Sequence, residues 1–137
     1  MSDRVSLPEA LIYVMVMVSA SDSSMTDKEL HSIGEVVKTL PVFSGFDTDD
    51  LVLVAQNCGT RLQAENGMSE TLNVIAASVP ESHRDTAYAL AVEIAVADVR
   101  VRQEELRMLQ MLRDALDLDK LTVAAIERSA QARYRPL

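Results

Sequence analysis

Two stretches of this chain set carboxylates in the same pattern. Asp22 is followed by Met25, Glu29 and Leu30, and Asp98 by Val101, Glu105 and Leu106. In each, an apolar residue comes three positions after the aspartate, a glutamate seven after and a leucine eight after. The second set begins 76 positions after the first, from 22 to 98. An aspartate at a helix end accepts backbone N–H bonds in the turn it starts. The apolar residue tucks under that turn, and the glutamate enters the next helix near its positive dipole end. Two carboxylates at one corner, with carbonyls and water, offer the oxygen donors taken by Ca²⁺ or another hard divalent cation. Asp22, Glu29, Asp98 and Glu105 are therefore the candidate metal ligands.

Structure alone can also explain part of this pattern. Thr26-Asp27-Lys28-Glu29 reads as a capping box, in which Glu29 reaches back to the threonine without any metal. The matching cap position of the second copy is Arg102, which has no acceptor to offer, yet a glutamate still follows at 105. Calcium loops of the EF-hand type are excluded. They need glycine at position 6 and glutamate at position 12. Counting from Asp22 gives Asp27 and Ile33, and position 12 from Asp98 is Leu109.

Other chemistry is thinly represented. The only histidines, His31 and His83, have no second nitrogen or sulfur ligand at zinc spacing and read as surface residues. Cys58 falls on an apolar helix face, where a small buried hydrophobe is expected. No Gly-x-Ser-x-Gly elbow or glycine-rich phosphate loop is present. Met15, Met17, Met25, Met108 and Met111 lie in or beside the two motifs and read as core, although thioethers also suit soft ions. Three readings stay open: a non-enzymatic interaction module, a metal-dependent enzyme built on the four carboxylates, and a purely structural helical adaptor.

The elements that position the motifs are helices. Ser6-Leu7-Pro8-Glu9 is a capping box with proline in the first turn, and predicts a helix to about residue 20. After the Thr26 box, Leu30, Ile33, Val36, Val37 and Leu40 recur at helical spacing until Pro41. Asp47 or Thr48 caps a third helix to about residue 62, with Leu51, Val54, Ala55 and Cys58 on one face. Asn66-Gly67 breaks it, and a fourth helix runs from about 68 to 79. The second half repeats this order. A helix runs from Ser82 to about 97, the next is lined by Leu106, Leu109, Leu112 and Leu116, and a last one, capped by Asp119, covers about 121–134. Ile33 falls on Leu109 and Leu40 on Leu116 at the same offset, while Leu51 falls on Leu121 at an offset of 70. The expected fold is all-α: one domain over 1–137, about seven helices, in two pseudo-two-fold related halves (about 6–79 and 82–135) around one core.

Composition narrows the function classes. With 48% hydrophobic residues, a 137-residue chain can bury a single core. A net charge of −8 argues against sequence-independent nucleic-acid binding, which needs clustered Lys and Arg. One cysteine excludes an intrachain disulfide and fits a reducing compartment. The apolar run Ala10 to Val18 resembles a signal-peptide core, but its leader is not basic and the run has an internal counterpart in Thr86 to Val96. It is also shorter than the roughly 20 residues a bilayer requires. The expectation is a cytoplasmic protein without direct membrane insertion. Arg128, Arg133 and Arg135, with Tyr134, form the one basic patch. It reads as a solvated helix end, or as a contact for an acidic protein partner or a second subunit in a homodimer.

A hydrophobic helix, a near variant of Ala-Asp-Gly, an apolar turn residue and Glu-Leu opening the next helix make this chain resemble the tellurite-resistance TerB-like family over nearly its whole length. The resemblance implies an all-helical domain of about seven helices with acidic surface residues at two turns. It implies a bacterial protein linked to tellurite, phage or general chemical stress, from a family whose members are proposed to bind metal or to act as interaction modules. Similar domains are attached to some membrane-anchored J-domain co-chaperones, and no established catalytic mechanism comes with the family. Asp22 and Glu29 match its first motif, Asp98 and Glu105 its second. The glycine usual after the aspartate is Ser23 in one copy and Val99 in the other.

Overall fold

The computed structural model describes residues 4–19, 26–97 and 103–137. Among them are seven α-helices and no strand. The helices are α1 (Leu7–Ser19), α2 (Asp27–Thr39), α3 (Leu51–Gln63), α4 (Gly67–Ser78), α5 (Arg84–Ala97), α6 (Gln103–Leu116) and α7 (Lys120–Arg133). The all-α expectation holds, and the helices fall where the sequence places them, except that α3 begins at Leu51 and not directly after a cap at Asp47 or Thr48.

The centre is a pair of helices. Every residue of α1 from Ala10 to Val18 is buried, as an apolar run without a polar face requires. It packs along α5, which buries Ala87, Tyr88, Leu90, Ala91, Val92, Ile94 and Ala95. The amphipathic helices wrap this pair. α1 also touches α2, α3, α4 and α6, and α5 touches α6 and α7. The run that resembles a signal-peptide core is thus the middle of the domain. Among the described residues, no helix is long and apolar enough to cross a membrane.

The caps follow the sequence. Ser6 Oγ accepts the Glu9 N–H at 3.3 Å, while Glu9 Oε1 accepts the Ser6 N–H at 3.2 Å. Pro41 turns the chain out of α2 into a 3₁₀ turn, Pro41–Phe43, that buries Phe43. Asp47 caps a second 3₁₀ turn, Thr48–Asp50, which runs into α3, and a third, Glu81–His83, precedes α5. These turns are where the sequence reading had loop or helix. Asp119 accepts hydrogen bonds from the N–H and hydroxyl of Thr122, which hold its carboxyl below the usual range and start α7.

Two local devices fix the packing. Asn66 adopts the left-handed conformation (φ 60°), and Gly67 then opens α4 directly against the end of α3. A Cβ at Gly67 would lie 2.3 Å from the Arg61 carbonyl oxygen, so only glycine fits. Arg84, at the start of α5, donates to the carbonyls of Leu116 at 3.0 Å and Ala76 at 3.3 Å. One guanidinium thereby covers the negative ends of α6 and α4.

Candidate functional site

The two glutamates of the repeated motif have described surroundings, and these differ. Asp22 and Asp98 lie outside the described residues, as do Met25, Val101 and the variant positions Ser23 and Val99. Glu29 is half-buried in the first turn of α2. Its Oε1 accepts the Thr26 N–H at 2.9 Å and the Thr26 hydroxyl at 3.0 Å, while Thr26 Oγ1 accepts the Glu29 N–H at 3.1 Å. The expected capping box is complete, and it occupies one oxygen of Glu29.

Glu105 stands in the first turn of α6 at only 6% exposure. The resemblance implied acidic residues on the surface of both turns, and at Glu105 the carboxylate is inside. Leu106 corrects a second expectation. It was to line the core with Leu109, Leu112 and Leu116, but it is 55% exposed while those three are buried. The helical register explains both. Leu116, Leu112 and Leu109 step back by four and three residues along one stripe, and the next step of four lands on Glu105. Leu106 stands about 100° away around the helix, on the outer face.

As oxygen ligands both glutamates suit a hard cation, whereas the positive helix N-termini beside them favour the carboxylates themselves. Among the described residues, no group of three or more His, Cys, Asp or Glu side chains is arranged to hold a metal ion. The four-carboxylate site of the sequence reading therefore involves the two aspartates outside that range.

The remaining candidates fall into place. Cys58 is fully buried, its thiol 3.8 Å from the Tyr13 carbonyl, and burial pushes its pKa from 9.0 up to about 12. A thiol so held is a core hydrophobe and not a nucleophile. His31 is exposed, 3.8 Å from Glu35, and half-buried His83 pairs through Nδ1 with the Ser82 hydroxyl at 2.9 Å. Met15, Met17 and Met108 are buried, and Met111 packs against the core. In the basic patch, Arg133 is already engaged: it donates to Glu93 at 2.9 Å and lies over the Tyr134 ring.

A polar cluster was missed by the sequence reading. Tyr88 of α5 donates its hydroxyl to Glu127 of α7 at 2.5 Å, and Arg113 of α6 donates to the same carboxylate at 2.9 Å. Burial first, then the Glu127 carboxylate, pushes the Tyr88 pKa upward. Three helices meet there at one bonded group. The only sequence sign was Tyr88 itself, a hydroxyl inside an otherwise apolar helix, which needs a partner when buried.

The cluster borders a groove of about 940 Å³ between α5, α6 and α7. Val92, Ala95, Leu109 and Ala130 contribute to its apolar lining, and Leu106 and Arg107 also line it.

Comparison with known proteins gives one match. A family model described as tellurite resistance protein TerB matches residues 8–128. No curated protein and no solved structure matches the chain.

Proposed function

Because the chain belongs to the tellurite resistance protein TerB family, we propose that it is a non-enzymatic interaction module of the bacterial stress response, with acidic helix corners that hold a divalent cation. The observation that carries this reading is Glu105. A carboxylate at 6% exposure is held inside by hydrogen bonds or positive charge, and the positive end of α6 favours it. Asp98 stands seven positions earlier, and in this reading the two carboxylates share a cation. Glu29, by contrast, has a complete structural role in its capping box. Asp98 and Glu105 form the principal cation corner in this reading, and Asp22 and Glu29 the weaker one. The net charge of −8 gives the module an acidic surface for protein partners.

The test is thermal unfolding with Ca²⁺ or Mg²⁺ added to wild type and to Asp98→Ala. A ligand at a hundredfold excess over its Kd stabilises the folded state by about 2.7 kcal/mol. For a chain of this size that raises Tm by on the order of 8 °C. Wild type should show the rise and Asp98→Ala should lose most of it. Unchanged melting in both proteins with both cations would remove the cation from this account.

A further inference from the structure

We propose that the groove between α5, α6 and α7 is the docking site for an amphipathic helix of a partner protein, one that carries a carboxylate facing Arg107. The proposal rests on the reading of the chain as an interaction module, and names the surface and the partner's chemistry.

Three observations carry it. Leu106 is 55% exposed, yet it lines the groove beside Val96 and Leu109, so a large aliphatic side chain is held half in water at the edge of an apolar depression. Filling that depression with apolar side chains removes this surface from water. The length fits a helix. The α6 lining runs from Leu106 to Arg113, seven steps of about 1.5 Å each, or about two turns. A partner helix offering apolar anchors at i, i+4 and i+7 spans the same distance.

Charge selects the partner. The charged residues of the groove are Arg107, Arg113 and Glu127, and the last two are paired with each other at 2.9 Å. Arg107 is exposed and has no ion-pair partner among the described residues. The groove is thus a locally positive apolar site on a protein of net charge −8. A matching helix places one Asp or Glu against Arg107 and keeps basic residues elsewhere, where it meets the acidic surface.

The probe is a lactam-stapled 14-residue helix with leucines at positions 4, 8 and 11, glutamate at 7 and lysines on the outer face, carrying a fluorophore. Its binding is followed by fluorescence anisotropy against wild type, Leu106→Glu, Arg107→Glu and Leu53→Glu. Leu53 of α3 is 57% exposed and lies away from the groove, so it controls for general apolar adhesion. We expect Leu106→Glu to weaken binding about tenfold, because it sets a charge against the apolar face of the probe. Arg107→Glu should weaken it less, and be rescued by a probe with lysine at position 7. Leu53→Glu should bind like wild type. Absence of binding to wild type, equal binding by Leu106→Glu, or equal loss in Leu53→Glu overturns the proposal. So does a wild-type dimer, seen by sedimentation, that Leu106→Glu converts to monomer, because the occupant is then a second copy of this chain. A protein that gains thermal stability from cations but ignores the probe retires the groove and leaves the cation-binding corner standing.

Discussion

Glu29 and Glu105 occupy the same place in a repeated motif and live differently. Glu29 sits at the start of α2, its Oε1 bonded to Thr26, with Leu30 packed against the core. Glu105 sits at the start of α6, buried, with Leu106 turned outward. A residue type at a repeated position thus does not fix its role. At Glu29 the preceding threonine ties the carboxylate to its helix end. The helices further along differ as well. α3 buries Leu51, Val54 and Cys58 and is braced by α4, whereas α7 fully buries only Ala130, packs Val123 and Ile126 against the core, and is joined to α5 and α6 through the Tyr88–Glu127–Arg113 cluster.

The largest expected effect breaks the packing of α4 on the end of α3. Gly67→Ala forces a Cβ against the Arg61 and Leu62 carbonyls and should cost about 3 kcal/mol in urea unfolding. On the polar side, Glu127→Ala leaves the Tyr88 hydroxyl and Arg113 without their shared acceptor. The Arg113 and Glu127 side chains are about one-third exposed, so a cost of about 1.5 kcal/mol is expected after allowing for solvent. Protection from amide hydrogen exchange should then fall in α7 before it falls in α3. Equal loss in both helices would mean that the cluster is not what holds α7.

Thr26→Ala removes the cap of α2 and should cost about 1 kcal/mol, with fraying confined to that helix. High pH gives the gentlest comparison. The Cys58 thiol keeps its proton to about 12 in the folded protein, while in the unfolded chain it ionises near 9.0. The unfolded state therefore loses its proton first, and stability falls as pH climbs between those values, by about 1 kcal/mol at pH 10. Cys58→Ala should flatten that decline without abolishing it, since the raised Tyr88 acts in the same direction. An unchanged slope would show that the thiol is not insulated as described.

Much of this was legible in the sequence, for local reasons. Ser6, Thr26 and Asp119 announce helix starts because their side chains bond to nearby backbone. Pro41 and Asn66-Gly67 announce breaks, and the apolar run of α1 announces a central helix. The inward turn of Glu105 was hidden because hydropathy nominates Leu106 for the core. Only the register back from Leu116, Leu112 and Leu109 puts the glutamate on the buried stripe. The Tyr88 cluster was hidden because its members lie 25 and 39 positions from Tyr88, and spacing along a helix says nothing about contacts between helices.

The central claim is that the buried corner, more than the capped one, holds the cation. Calorimetric titration of Ca²⁺ and Mg²⁺ into wild type, Glu29→Gln and Glu105→Gln tests it most directly. The account predicts a binding heat in wild type, a heat of similar size in Glu29→Gln and its loss in Glu105→Gln. A heat that survives in Glu105→Gln and vanishes in Glu29→Gln, or no heat in any of the three, contradicts it.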